Sequence, residues 1–426
     1  MRIAVLAVGS HGDVQPYAAL AGGLAKAGHS VTLASHETFR DLAMRCEVSF
    51  SLIAGNPMEI VQGTDGKSWL GSSDSYIRFL TRARAMAQDL YPQISRDALA
   101  ASSGSEALIF SLPLTVCGYS VAEALGVPGI PAALYPLHPT RAFPSIMTPG
   151  LSLGPAVNWL SGAAVMHLYW QLSRSILGDF HRAQGLDRVP ILPPLKRLEK
   201  EGVPFLYGYS PAVIPTPPNW PRTRAVCGYW FLEEATEWQP AAQLADFMTH
   251  GSPPIYVGFG SMTSGDPAGM TRVILDTLRR TGQRAVLSTG WGGLHIEDLP
   301  KSVMPIGFVP HEWLFPRVSL AVHHGGAGTT AAVLKAGAPS IVVPFFADQF
   351  FWGKRVADLG IGAGPIPRKE LTVESLEKAI RSVLESGSMP ARARDLSRAI
   401  AAEDGVTAAV AAVEDYLRST TRRRIA

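Results

Sequence analysis

The sequence predicts an α/β chain of two doubly wound, parallel-sheet domains. Short apolar, β-branched runs recur along it without polar interruption, as strands buried on both faces require. Most of them lead into a glycine-bearing turn and then into a segment with apolar residues at helical spacing. Between Tyr209 and Gly228 the composition shifts to prolines, and the strand–turn–helix pattern then starts again. A length of 426 residues also favours two domains over one.

In the first half, RIAVLAV predicts a strand, GSHGD a turn, Val14–Lys26 a helix ended by Gly28, and SVTLAS a second strand. That is a βαβ unit with its turn at the carboxyl end of the strand. ALIFSL near residue 107 and GIPAALYP near residue 129 predict later strands, bridged by a helix at Val121–Leu125. No charged side chain lies between Arg141 and Arg174. Pro144, Pro149, Gly150, Pro155 and Gly162 break that stretch, whereas a membrane-spanning helix needs about 20 mostly apolar residues in one run. One or two apolar helices are expected there, lining a pocket or resting on a membrane surface.

In the second half, PIYVGF leads into GSM, AVLSTG into WGG, VMPIGFV into PHEWLF, SLAVHH into GGAGTT and SIVVPF into FADQ. Helices are expected at Gly269–Thr281 and Thr330–Ala336. The expected division is 1–214, a connection at 215–235, a second domain at 236–400, and a C-terminal helix with a basic tail at 401–426 that packs back on the first domain. Ligands belong at the carboxyl ends of the strands, where these turns lie.

Bulk chemistry narrows the function. The net charge of +3 is too small for a nucleic-acid surface. Cys46, Cys117 and Cys227 are far apart and lack the spacing of a zinc site, so reduced thiols in a cytoplasmic protein are expected. MRIAVLAVGSHGD reads as a first strand rather than a signal peptide.

The stretch HHGGAGTT joins a strand to a helix and suits an anion. Glycine lets the backbone approach an oxyanion, and the N–H groups of the first helical turn point at it. Thr329 and Thr330 add hydroxyls, and His324 adds an N–H donor. The lysine of a GxxxxGK[ST] loop is absent, which disfavours ATP hydrolysis by that route. Glycines that merely allow close helix–strand packing are the structural alternative.

The run HHGGAGTTAAVLKAGAPSIVVPFFADQFFWGKRV resembles the donor-binding signature of family 1 GT-B glycosyltransferases, and in particular the sterol 3β-glucosyltransferase branch. GSHGDVQPYAALAGGL, YGYSPAVIPTPPNWPRTRAVCGYWFLE, PPIYVGFGSM and FVPHEWLFPRV agree with that branch, in the family's order. The resemblance implies a GT-B fold, a compact bacterial-type form, and an inverting, metal-independent transfer of a hexose from a UDP-sugar co-substrate, with no other cofactor. His324, Gly326, Ala327, Gly328, Thr329 and Ser261 would hold the donor diphosphate. Val309 and Pro310 would meet the uracil edge, with Trp291 or Trp313 near the base, and Asp348 and Gln349 would bind the sugar hydroxyls. Plant members place a glutamate eight residues after the histidine to clamp the ribose, and Ala332 stands there in this chain.

The base that accepts the acceptor's proton is expected in GSHGDV: Asp13 is favoured and His11 is the alternative. A histidine base of this family is oriented by an aspartate at the end of a later strand, where ALIFSLPL offers Ser111. Asp13 also suits the cap of the following helix. The charge-free stretch and its flanks hold Tyr135, Phe143, Trp159, Met166, Tyr169 and Trp170, which suit a flat lipophilic alcohol. The expected partners are a nucleotide sugar and a lipophilic acceptor, with peripheral contact to a membrane. The competing reading is a natural-product or glycolipid transferase using a UDP- or dTDP-deoxysugar on a polyketide or macrolide. A non-catalytic binding protein and a nucleotide-sugar epimerase complete the alternatives.

Overall fold

The computed structural model describes residues 1–55, 76–150, 153–232, 238–260, 262, 266–288 and 299–425. These form two compact units. One holds the chain up to Leu232 together with the stretch from Glu403 onward, and the other holds the chain between them, ending at Ala402.

The first unit is built on seven strands: β1 Arg2–Leu6, β2 Ser30–Ser35, β3 Ser49–Leu52, β4 Ala107–Phe110, β5 Gly129–Ala133, β6 Phe205–Tyr207 and β7 Arg224–Val226. Their order is β3-β2-β1-β4-β5-β6-β7 and every pairing is parallel. Leu6 sits opposite Ala34 on one side and Phe110 on the other, so the end of β1 is flanked by fully buried apolar residues. The second unit carries β8 Ile255–Gly258, β9 Ala285–Ser288, β10 Val303–Ile306, β11 Leu320–His323 and β12 Ser340–Val342, in the order β10-β9-β8-β11-β12, again parallel. Ile255, Val257, Leu320, Val322 and Ile341 fill one face of that sheet, and Tyr256, Val286 and Ala321 the other. Burial on both faces is why these runs read as continuously apolar rather than alternating.

The structure departs from expectation in two places and meets it in a third. The proline-rich stretch is no free connector: it carries β7, buries Val213 and Ile214, and stacks Trp220 on Tyr207 at 5.0 Å. The charge-free stretch meets expectation: from Pro155 on it lies in one helix, Pro155–Ala183, with proline at its first position, where a missing N–H costs nothing. The helix expected from Val14 begins at His11, and the one expected from Thr330 begins at Ala327, because the glycine turns are shorter than their sequence suggests.

The C-terminal helix Gly405–Ile425 packs against the helix His11–Lys26 at Gly23. A Cβ at Gly23 would lie 2.3 Å from Val406 Cγ1. Gly23→Ala gains about 1 kcal/mol of helix propensity but overpacks against a stiff β-branched side chain, at roughly 1–3 kcal/mol. The expected result is a lower thermal midpoint for Gly23→Ala, restored by adding Val406→Ala.

Candidate active site

Both sheets reverse their strand order at one point, between β1 and β4 in the first unit and between β8 and β11 in the second. In doubly wound sheets that reversal opens a crevice at the carboxyl ends of the strands. The turn after β1 runs into the helix that opens with His11 and Asp13, and the turn after β11, from His324 to Gly326, runs into the helix that opens with Ala327–Thr330.

In the first unit, the Asp13 carboxylate folds back over its own turn. Its Oδ2 accepts from the Ser10 N–H at 2.8 Å and the Ser10 hydroxyl at 2.7 Å. Gly9 makes this possible: its φ is +128°, and a Cβ there would lie 2.7 Å from that same oxygen. Asp13 Oδ1 receives no hydrogen bond from the described residues, so half of the carboxylate stays uncommitted. Burial raises the proton affinity of Asp13 above the ordinary carboxylate value, and the bonds from Ser10 oppose that shift without cancelling it. One turn on, the Tyr17 hydroxyl donates to the Ala132 carbonyl at 2.9 Å and ties this helix to β5. His11 lies 6.3 Å from the Phe39 ring. Burial, then the nearby Arg45, lower its pKa and favour the neutral imidazole. Ser111, on the strand where a family histidine would find its orienting partner, is buried, and its hydroxyl has no partner among the described residues.

In the second unit, the helix Ala327–Ala336 starts from Gly326 with no side-chain cap. The N–H groups of its first turn therefore remain available, and Gly326 through Thr329 are half-buried, at the open edge of the corner. His324 is packed against this edge. A Cβ on Gly326 would come within 2.4 Å of its Nε2, and one on Gly260 within 3.0 Å of its Cε1. His324 Nδ1 is buried with no partner among the described residues. Burial pushes the His324 pKa down to about 4, so the ring is neutral near pH 7 and offers one N–H. His323, which the sequence did not single out, holds the turn: its Nδ1 accepts from the Gly325 N–H at 3.2 Å, and burial pushes its pKa down to about 3. Thr330 departs from the sequence reading. It is fully buried on the sheet side of the helix, so its hydroxyl faces the core and Thr329 is the threonine left at the edge.

Asp348 and Gln349 end the turn after β12 and take different positions. Asp348 is half-buried, and its Oδ2 accepts from Trp352 Nε1 at 3.1 Å instead of capping the helix it precedes. Gln349 is turned inward. Its Oε1 accepts from Phe345 N–H at 2.7 Å and Phe346 N–H at 3.3 Å, and its Nε2 contacts Met262 Sδ at 3.4 Å. The turn it braces contains Ala347 at φ +54°, a strained conformation for a residue with a Cβ. Val309 and Pro310 are buried at the start of the helix His311–Leu314. Pro310 has no N–H and its carbonyl already accepts from Trp313 and Leu314, so Val309 is the member of the pair with both a backbone donor and acceptor to offer. Trp313 is engaged by Trp238 at 5.2 Å and Arg317 at 4.7 Å. Ser261 and Trp291 lie outside the described residues.

Of the aromatic and apolar candidates in the first unit, Met166, Tyr169 and Trp170 come together around a small apolar pocket, a cavity of about 30 Å³. Leu112, Thr115 and Tyr119 line it from the helical turns after β4. The Tyr169 hydroxyl lies 3.1 Å from the Leu112 carbonyl and 3.1 Å from Thr115 Oγ1, which fixes the ring as a wall. Tyr135 and Phe143 are not in the lining, and Trp159 is 47 % exposed about three helical turns before Trp170, so these three do not join the pocket.

Two family models match the chain: the glycosyltransferase family 28 N-terminal domain over residues 3–144, and the erythromycin biosynthesis protein CIII-like C-terminal domain over residues 273–415. The chain is 38 % identical to the sterol 3-beta-glucosyltransferase UGT80B1 of Arabidopsis thaliana over 98 % of its own length and 68 % of the plant protein's. It is 35 % identical to a sterol 3-beta-glucosyltransferase of Neosartorya fischeri over its whole length, which spans 30 % of the fungal protein. Both relatives are eukaryotic and lend no support to a bacterial-type assignment. Among solved structures, the glycotransferase of kitacinnamycin superposes with a TM-score of 0.73 at 17 % identity, covering 98 % of this chain and 99 % of that one, a likeness of fold alone. The two parallel sheets, the fold likeness and the identity to the plant enzyme together place the chain in the sterol 3-beta-glucosyltransferase family, on the GT-B fold.

Proposed function

We propose that the chain transfers a hexose, glucose in the first instance, from a UDP-sugar to the hydroxyl of a sterol-like acceptor, with inversion. The observation that carries the donor half is the uncapped helix start at Gly326 beside a neutral, buried His324. The apolar pocket of the first unit and the identity to the plant sterol enzyme support the acceptor half.

In the proposed step the acceptor oxygen attacks the anomeric carbon and forms the new C–O bond. The bond from that carbon to the diphosphate oxygen breaks, UDP leaves with its electron pair, and the hydroxyl proton passes to Asp13. The uncommitted Oδ1 of Asp13 and its raised proton affinity support this role, and the neutral ring of His11 supports the alternative. Charge growing on the leaving diphosphate meets the first-turn N–H groups, Thr329, His324 and Ser261. Asp348 accepts from the sugar hydroxyls, Gln349 holds the turn that carries it, and Val309, with Trp291, faces the base. No metal belongs to the proposal, and EDTA is expected to leave turnover unchanged. Peripheral attachment to a membrane belongs to it, because the acceptor is a membrane lipid in kind.

A second reading, transfer of a UDP- or dTDP-deoxysugar to a polyketide or macrolide, is favoured by the match of residues 273–415 to an erythromycin-biosynthesis domain. A mass-spectrometric assay separates the two by crossing UDP-glucose, UDP-galactose and dTDP-sugars with cholesterol, sitosterol and macrolides. Product only from dTDP-sugars and macrolides would remove the first reading.

Asp13→Asn is expected to lower turnover by about 10³-fold, with UDP affinity changed less than about twofold by calorimetry, because its partner Ser10 keeps an acceptor. If His11→Ala is the more severe variant, the base is reassigned. The sign of the pH dependence follows from burial. A carboxyl with raised proton affinity must lose its proton before it acts as base, so the acid limb of kcat/KM lies above the ordinary aspartate value of 3.8. His324, with its pKa near 4, stays neutral from mildly acidic to mildly basic pH, so it adds no slope to UDP affinity over that range. Removing its N–H in His324→Ala is expected to weaken UDP by roughly 10- to 100-fold.

A further inference from the structure

We infer that the outer face of the helix Pro155–Ala183, with the segment Ile191–Leu192 beside it, docks the chain on an anionic lipid bilayer. The inference deepens the sterol-transfer reading and rests on it for the identity of the acceptor.

Among the described residues ten large hydrophobic side chains are exposed, and six of them fall in this one neighbourhood: Leu153, Trp159, Leu160, Leu168, Ile191 and Leu192. Trp159 continues at helical spacing through Ala163 to His167, and Leu160 through Ala164 to Leu168, so they form one face. Ile191 is held against the same helix, since its carbonyl accepts from Gln171 Nε2 at 2.7 Å, while the Pro190 carbonyl accepts from Trp170 Nε1 at 3.0 Å. A ridge of this kind is rarely left to water by a protein that works alone.

Charge selects the occupant. The face carries no charged side chain, because none occurs between Arg141 and Arg174. In the segment that carries Ile191 and Leu192 the balance is positive: residues 184–201 hold four basic and three acidic side chains, Arg197 lying 3.9 Å from Glu201. Arg188, Lys196 and Arg197 are exposed next to Ile191 and Leu192. An uncharged apolar face rimmed by cations matches the acyl boundary and phosphate layer of an anionic leaflet. No helix among the described residues is long and apolar enough to cross a membrane, so the helix lies on the surface.

The pocket adds an independent observation. Met166, Tyr169 and Trp170 line it from this same helix. Pro193, Pro194 and Leu195 line it from the residues that directly follow Ile191 and Leu192. A lipid alcohol leaving the bilayer at this ridge reaches the pocket along an apolar wall.

The test floats the full-length chain with phosphatidylcholine vesicles, with and without phosphatidylserine. Capture by the phosphatidylserine vesicles is expected, weakened by salt. The double variant Leu160→Glu with Leu168→Glu is expected to lose about tenfold or more of that partitioning, with its circular dichroism unchanged. Its transfer to sterol delivered in cyclodextrin should match the parent's, while transfer to vesicle-embedded sterol falls. Absence of capture, or equal capture of the double variant, overturns the inference. So does a concentration-dependent dimer, abolished by the same substitutions, in a chain that ignores vesicles: the face would then belong to a second copy. Failure of the parent on cyclodextrin-delivered sterol would count against the sterol reading alone, because flotation is read without turnover.

Discussion

No side chain fits between the start of the helix Ala327–Ala336 and the imidazole of His324, and the second unit's corner follows from that constraint. Gly325 turns the chain at φ +88°, and a Cβ on Gly326 would press on the ring at 2.4 Å. The backbone can therefore start a helix directly beside a buried histidine, with His323 gripping the Gly325 N–H from below. Replace either glycine and the helix start, the ring and their shared edge cannot all keep their places. The first unit obeys the same rule at Gly9, where the missing Cβ makes room for the Asp13 carboxylate.

Burial then sets the electrostatics of both corners. It disfavours charge on every group it encloses, which lowers the pKa of His323, His324 and His11 and raises that of Asp13. The histidines thus act as neutral donors or acceptors. The anion-binding potential of the second corner comes from peptide N–H groups, whose alignment needs no protonation. The second corner thus offers fixed dipoles, and the first offers a carboxyl whose affinity for a proton is enhanced.

Much of this was legible in the sequence, and the reasons it failed elsewhere are physical. The strands β1, β2, β4, β5, β8, β9, β11 and β12 announce themselves because their burial demands unbroken apolar runs. The edge strands β3 and β7 escaped, since SFSL and RAV are short and only partly buried, and the prolines around β7 suggested a loose connection. The glycines and His324 of the corner were readable from composition, whereas the inward turn of Thr330 was not: one step along a helix rotates a side chain from edge to core. Gln349 looked like a ligand group because amides bind hydroxyls. Its use as a brace for Phe345 and Phe346, beside the strained Ala347, depends on a backbone conformation that periodicity does not encode. Trp159 and Trp170 are eleven residues, about three helical turns, apart on the same helix, so phase puts both on one side and only their position along the axis separates the exposed one from the one at the pocket.

The two units share one topology yet present opposite chemistry at the same corner, and the difference lies in how each helix start is satisfied. In the first, Asp13 stands in the opening turn and accepts from the Ser10 N–H, so a carboxylate already occupies the positive end of the helix. A second anion there would meet like charge, and what the corner offers instead is a proton acceptor. In the second, Gly326 provides no side chain to cap the helix and no acidic residue follows in the first turn, so the end dipole stays uncompensated by the protein. A helix end of this kind suits an external anion. One aspartate present and one cap absent are sufficient, on a common scaffold, to make one corner basic and the other anion-seeking.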